Sequence, residues 1–127
     1  AELADLQKKY GFPAGRLLAA IADNGNVVGC VAYCRHSAVR CEMKRLYVLP
    51  AYRKDGIGQA LLTEIVNLAE ADGYEEMVLD TLLPMESAIR LYRRNGFEEI
   101  SAYYENPMDD VLYFRRKLIP PQKGAEK

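Results

Sequence analysis

The feature that most constrains this chain is a glycine turn at its middle, Arg53-Lys54-Asp55-Gly56-Ile57-Gly58, between a segment patterned as a strand and one patterned as a helix. A helix N-terminus offers unpaired backbone N–H groups and the positive end of the helix dipole. Glycines let an anion approach the backbone closely, and Arg53 and Lys54 add positive charge. The segment therefore predicts a phosphate or pyrophosphate site. The alternative is a tight turn whose glycines only start a helix, and neither a Walker loop nor a G-x-G-x-x-G motif is present.

The hydrophobic pattern on both sides of this turn predicts a mixed, twisted α/β sheet flanked by helices. The predicted elements, in chain order, are a helix Ala4–Tyr10, strands Leu17–Ala22, Val27–Arg35 and Arg40–Leu49, a helix from about Gly56 to Asp72, a strand Glu76–Thr81, a helix from Pro84 to Gly96, and strands Phe97–Tyr104 and Val111–Leu118. Asn24-Gly25 predicts a hairpin turn, and the last two strands are expected to pair across Asn106-Pro107. Strict alternation along the third strand predicts one face for Glu42, Leu46 and Val48.

Length and charge narrow the class of protein. The 127 residues fit one domain, predicted over residues 1–119, with a flexible tail at 120–127. The net charge of −1 disfavours a nucleic-acid binder that relies on a general basic field. No apolar run is long enough to cross a bilayer, and we expect no signal peptide and a cytoplasmic protein.

Three cysteines, Cys30, Cys34 and Cys41, are too few for a disulfide scaffold and indicate a reducing compartment. If the turn after the second hairpin strand is tight, Cys34 faces Cys41, so a disulfide is geometrically possible but disfavoured in such a compartment. No metal site is predicted, since the spacing does not match structural zinc sites.

Two motifs connect these observations to a known family. Arg53, Gly56 and Gly58 match [QR]-x-x-G-x-[GA] after a strand that ends in Val-x-Pro, and Tyr92 to Phe97 match Y-x-x-x-G-F. In this order, with a strand between them, the motifs resemble the GNAT superfamily of acyl-CoA-dependent N-acyltransferases. The resemblance covers about Leu17–Leu118. It implies the GNAT fold, here apparently lacking the first strand and helix that usually precede the Ala4–Tyr10 segment, and acetyl-CoA as co-substrate.

The resemblance also implies a role for each matched position. The turn would hold the pyrophosphate of coenzyme A with its backbone amides, and the end of the third strand would pair with the pantetheine arm. These expected cofactor-binding residues are Leu46, Tyr47, Val48, Arg53, Lys54, Asp55, Gly56, Ile57, Gly58 and Gln59. Two positions depart from what the family would predict, because Met85 replaces a common asparagine and Asp55 places a carboxylate in the turn.

Three residues are expected to carry the chemistry. The N–H of Leu46 would polarise the thioester carbonyl, and Tyr92 would protonate the leaving thiolate. Glu42, eleven residues before Arg53, stands where some members have a glutamate base; it would deprotonate the acceptor ammonium directly or through water. The alternatives are that Tyr92 is a core aromatic residue and that Glu42 only pairs with a lysine or caps a sheet edge.

The expected reaction is transfer of an acetyl group from acetyl-CoA to a primary amine by direct attack. The amine belongs to a small molecule or to a peptide. Tyr103 and Tyr104 form a candidate substrate-recognition loop, or else they only pack on the sheet. Two other readings stay open: a non-catalytic CoA-binding regulatory or partner module, and a nucleotide-phosphate binder. An exposed edge near Val111–Arg116 is expected to permit a homodimer.

Overall fold

The computed structural model of the protein describes residues 2–5, 15–82, 85–105 and 110–121. It contains one sheet and two helices within these ranges. The strands are β1 (Glu2–Asp5), β2 (Gly15–Ile21), β3 (Val27–Arg35), β4 (Arg40–Val48), β5 (Glu76–Leu82), β6 (Glu98–Ile100) and β7 (Val111–Lys117). The helices are α1 (Ile57–Ala71) and α2 (Glu86–Arg94), and a single 3-10 turn, Pro50–Tyr52, follows β4.

The sheet is mixed and has the strand order β1-β2-β3-β4-β5-β7-β6. Strands β1 to β4 pair antiparallel, β4 and β5 pair parallel, and β7 lies antiparallel between β5 and β6. The parallel step requires a crossover, which α1 supplies. The predicted mixed sheet flanked by helices is therefore confirmed.

Glycines end the elements at the positions that need a left-handed backbone. Gly25 lies at φ 87° in the β2–β3 hairpin, where the Asn24 side chain accepts a bond from the Asn26 N–H. Gly73, at φ 94°, follows α1, and Gly96, at φ 87°, follows α2. A side chain is strained in this conformation, so glycine stops each helix at a defined residue.

Both helices contribute to one core on one face of the sheet. Leu61, Leu62 and Ile65 of α1 are fully buried, and Tyr92 of α2 joins the same cluster. Phe114 of β7 lies in the middle of it, with its ring 6.1 Å from that of Tyr92. We call this the helix face of the sheet. No helix in the described ranges is long and apolar enough to cross a membrane.

The N-terminal expectations need correction. Residues 2–5 form strand β1, which pairs from Glu2 with Ile21 to Asp5 with Leu18. The expected helix therefore does not begin at Ala4, because pairing with β2 satisfies the backbone that local preference would have placed in a helix. A first strand is present after all, and residues 6–14 lie outside the described ranges.

Three further details of strand pairing differ from the expectations. Cys34 pairs with Glu42 and Cys41 with Arg35, so Cys34 does not face Cys41, and the two thiols point to opposite faces of the sheet and cannot form the disfavoured disulfide. Strand β7 is internal, so Val111–Arg116 is not a free edge. Strand β6 ends at Ile100 rather than Tyr104, while the expected turn at Asn106-Pro107 lies outside the described residues.

Candidate active site

The site forms where β4 separates from β5. The two strands pair only from Arg40 with Glu76 to Glu42 with Val78, although β4 continues to Val48 and β5 to Leu82. Past Glu42 they diverge and leave a cleft of about 560 Å³ between them. In that stretch β5 still pairs with β7 and β4 with β3, so the edge of β4 that faces β5 keeps backbone groups with no partner among the described strands.

A bulge in β4 changes which residues enter this cleft. Cys30 pairs with Tyr47 but Ala32 pairs with Lys44, so β4 carries one extra residue, and Arg45 takes a positive φ of 61°. The extra residue reverses the alternation beyond it. Val48 therefore joins Met43 in the core of the helix face, whereas Glu42 lies on the other face. The expectation that Glu42, Leu46 and Val48 share one face was wrong for this reason.

The glycine turn presents backbone donors at the start of α1. Gly56 precedes the helix at φ 77°, and the first helical bond runs from the Ala60 N–H to the Gly56 carbonyl at 3.1 Å. The N–H groups of Ile57, Gly58 and Gln59 come before that bond and have no helical acceptor. A Cβ on Gly58 would lie 3.7 Å from Leu91 and 3.9 Å from Val48, which places the turn tightly against β4 and α2. This arrangement fits an anionic group at the helix N-terminus.

The polar side chains of the turn mostly hold its shape. Arg53 donates from Nε to the Val48 carbonyl at 2.8 Å and lies 5.3 Å from the centre of the Tyr47 ring. Gln59 forms a reciprocal amide pair with Asn95, at 2.7 and 3.0 Å, which ties α1 to the end of α2. The Asp55 N–H donates to the Tyr52 carbonyl at 3.3 Å, and both Lys54 and Asp55 are exposed. Backbone groups thus supply the donors that would suit an anion, and side chains fix the shape of the turn.

Tyr92 projects from α2 into the cleft. Its side chain is only 6 % exposed, and it lines the same space as Leu46 of β4. Burial raises the pKa of Tyr92 to about 12, and the negative charge of Asp80 contributes in the same direction. The phenol is therefore protonated at neutral pH and is available as a proton donor inside the cleft.

A cluster of tyrosines and carboxylates lies on the face of the sheet opposite the helices. The rings of Tyr103, Tyr104 and Tyr113 contact one another edge to face, with centroids 5.2 to 5.5 Å apart. Tyr103 donates to Glu42 at 2.6 Å, and Tyr104 donates to Asp80. We call these five residues the tyrosine–carboxylate cluster. Tyr104 and Asp80 also line the cleft, so the cluster reaches its mouth.

Glu42 does not line the cleft itself. It is 9 % exposed, it accepts the Tyr103 bond, and it pairs with Lys44 at 3.3 Å. Burial, followed by the bond to this carboxylate, raises the pKa of Tyr103, so the phenol stays a donor. The structure thus brings Tyr92, Leu46 and Tyr104 together and places Glu42 one contact away, behind Tyr103 and Lys44.

Sequence reasoning assigned no role in the site to the charged residues that line the cleft, which are Lys44, Arg45 and Asp80. Asp80 directly follows the apolar run Met77–Leu79. A carboxylate that follows a buried strand was the sequence signal that could have indicated it. No such signal pointed to Arg45, because strict alternation predicts that it lies on the face opposite Glu42. The bulge changes the alternation at this position, and Arg45 lines the cleft.

Comparison with known proteins decides the family. The sequence profile of the acetyltransferase (GNAT) domain matches residues 13–99. An uncharacterized N-acetyltransferase of Schizosaccharomyces pombe is 43% identical over 92% of this chain and 72% of its own length. The chain belongs to the GNAT acetyltransferase family. Membership in this family supports acyl transfer as the general activity of the chain.

Other relatives and structures agree with this assignment. Human N-acetylaspartate synthetase is 31% identical over 80% of this chain, which corresponds to 34% of that protein. An acyl-CoA N-acyltransferase from Klebsiella pneumoniae shares the fold with a TM-score of 0.83 at 23% identity, covering 93% of this chain and 97% of its own. A GNAT phosphinothricin acetyltransferase from Sinorhizobium meliloti, solved with acetyl-CoA, has a TM-score of 0.70 at 25% identity, over 87% of this chain and 67% of its own.

Acetyl-CoA is the co-substrate of this family, and the geometry of the present chain fits it. The free N–H groups at the start of α1 suit a pyrophosphate, and the unpaired edge of β4 suits an extended arm that adds to the sheet. The cleft between β4 and β5 lies along the same edge, at residues 43–46 of β4.

Proposed function

We propose that this GNAT protein transfers the acetyl group of acetyl-CoA to a primary amine, of a small molecule or a peptide, by direct attack of the amine on the thioester. The observation that supports this proposal is the meeting of Leu46 and Tyr92 in one cleft, at the point where β4 leaves β5. A backbone N–H donor and a buried protonated phenol are the two groups that thioester cleavage needs.

The proposed reaction divides the work between these groups. The bulged end of β4 offers the Leu46 N–H to the carbonyl oxygen, where negative charge develops during attack. The C–N bond forms first and gives a tetrahedral intermediate, and the C–S bond then breaks as the Tyr92 hydroxyl gives its proton to the departing sulfur. Because the pKa of Tyr92 is raised to about 12, the phenol is protonated before each cycle. An amine must be neutral to attack, so a proton must also leave the acceptor nitrogen.

Glu42 stays the proposed base, acting through an intervening group. Its carboxylate is bonded to Tyr103 and paired with Lys44, so a proton would reach it through a water or through the Tyr103 hydroxyl. A Glu42→Gln variant tests this role directly. An unchanged pH–rate profile in that variant would remove the assignment and leave Glu42 as a residue that positions Tyr103.

Calorimetric titration with acetyl-CoA, with ATP as the control, tests the cofactor part of the proposal. We expect micromolar affinity for acetyl-CoA, or roughly −8 kcal/mol, and none for ATP. Release of free CoA in the presence of a panel of primary amines then tests catalysis. Binding without CoA release by any amine would instead favour a non-catalytic CoA-binding module, and absence of binding by folded protein would contradict the proposed function.

A further inference from the structure

We infer that the acceptor amine is a small amino acid, bound with its ammonium group at Asp80 and its carboxylate at Arg45. This inference rests on the proposed function and narrows it from any primary amine to a zwitterion. The observation that supports it is that the two diverging strands present opposite charges to the cleft, Arg45 from β4 and Asp80 from β5.

Opposite charges face the cleft from its two walls. Arg45 lines it from β4, and Asp80 lines it from β5. Among the described residues, the ion pairs involve neither Arg45 nor Asp80, whereas the neighbouring Lys44 is paired with Glu42 at 3.3 Å. Lys44 also lines the cleft, but its charge is balanced by Glu42, so Arg45 and Asp80 are the cation and the anion that no ion pair within the described residues neutralises. Such a cleft is complementary to a ligand that carries both charges.

The backbone at Arg45 is strained in a way that supports a binding role. Its φ of 61° is the only positive value among non-glycine residues in the described chain. This left-handed conformation is unfavourable for an arginine and not for a glycine. The Cys30 thiol bonds to the Arg45 carbonyl at 3.3 Å and helps to hold the bulge. A guanidinium that binds a ligand would explain why an exposed arginine occupies this strained position.

The two groups also suit the two ends of an amino acid chemically. A guanidinium binds a carboxylate with two parallel bonds, which fixes orientation as well as position. The Asp80 carboxylate accepts the Tyr104 hydroxyl and has further acceptor positions for an ammonium group. Asp80 also acts on Tyr92 electrostatically, so an ammonium group at Asp80 lies near the residue proposed to protonate the sulfur.

The experiment compares matched acceptors on the wild-type protein and then on variants of Arg45. CoA release is measured with each of the twenty common L-amino acids and with the carboxamide of every one that reacts, and the N-acetyl product is identified by mass. We expect at least one amino acid to react with a KM about ten- to hundredfold below that of its carboxamide, the usual range for a charge-assisted pair. Arg45→Gln should remove this difference by raising only the KM of the amino acid, and Arg45→Lys should keep part of it.

Controls separate this inference from the proposed function. Arg90→Gln removes an exposed arginine on α2 that pairs with Glu86, and it should leave every KM unchanged. The acetyl-CoA affinity of Arg45→Gln, measured by calorimetry, should equal that of the wild type. The inference is overturned if no amino acid reacts, if carboxamides react as well as amino acids, or if Arg45→Gln raises both KM values equally. Failure to bind acetyl-CoA would overturn the proposed function instead.

Discussion

The two ends of the proposed site are built from different parts of the chain. The proposed cofactor end is a short continuous segment, the turn from Arg53 to Gln59, and the donors it offers are backbone N–H groups. The proposed acceptor end lies at the cleft and combines side chains from β4, β5 and the residues after β6. A backbone site can be shared by many proteins that bind the same cofactor, whereas a side-chain site can change its acceptor by a few substitutions. Mutations at the two ends should therefore separate into two kinetic classes.

The largest effect is expected at Tyr92, where the two ends meet. Tyr92→Phe keeps the ring packed against Phe97 and Phe114 but removes the hydroxyl. Loss of the proton donor should lower kcat by about 10²- to 10⁴-fold, with little change in acetyl-CoA affinity. Steady-state kinetics and calorimetry check both parts, and a variant with full turnover would show that Tyr92 is only a core residue.

The cofactor end is tested by Gly56→Val. A branched side chain at φ 77° is strained by about 1–3 kcal/mol, so acetyl-CoA binding should weaken roughly five- to hundredfold as the turn shifts. Gly25→Val is the matched control, because Gly25 also has a positive φ, and a Cβ on either glycine would meet no atom within 4 Å. Both variants should lose thermal stability, but only the first should lose affinity. Equal acetyl-CoA affinities would mean that the turn is not the pyrophosphate site.

The acceptor end is tested by a double-mutant cycle on Tyr103 and Glu42. Tyr103 donates a hydrogen bond to the buried Glu42 carboxylate, so Tyr103→Phe and Glu42→Leu, neither of which can form that bond, should be coupled by about 1.5–3 kcal/mol in urea unfolding. Each single variant should change acceptor kinetics and leave acetyl-CoA affinity intact. If the two changes in the free energy of unfolding simply add in the double variant, the hydrogen bond between Tyr103 and Glu42 does not stabilise this part of the protein.

The pH dependence should be the smallest effect and follows from the raised pKa of Tyr92. Burial and the Asp80 charge both disfavour the phenolate, so the proton donor stays protonated well above the ordinary tyrosine value of about 10. We therefore expect that deprotonation of Tyr92 causes no fall in kcat up to about pH 10. In Asp80→Asn the negative charge is gone, so the pKa of Tyr92 should fall while burial still keeps it raised. Tyrosinate absorbance, with Tyr92→Phe in the same background as the reference, measures the direction, and an upward shift would contradict it.

Much of the fold was predictable because local signals and long-range packing agree. The strand Val27–Arg35 was predicted with its observed bounds, and α1 differs from its expected range by one residue at each end. Gly73 and Gly96 marked the helix ends correctly, since a positive φ favours glycine whatever the surroundings. Where tertiary pairing competed with local preference, as at Glu2–Asp5, local preference gave the wrong element.

The sequence by itself determined the glycine turn, the second motif at Tyr92, and thus the family and its co-substrate. These features are local, because a backbone anion site needs only a few consecutive residues and a helix to follow them. Only the tertiary structure decided how the acceptor end is built. The bulge at Arg45 reverses the alternation of β4, and a side-chain hydrogen bond joins Tyr104, beyond the end of β6, to Asp80 of β5, although 23 residues separate them in sequence. Such contacts depend on register, and a shift of one residue sends a side chain to the opposite face of the sheet.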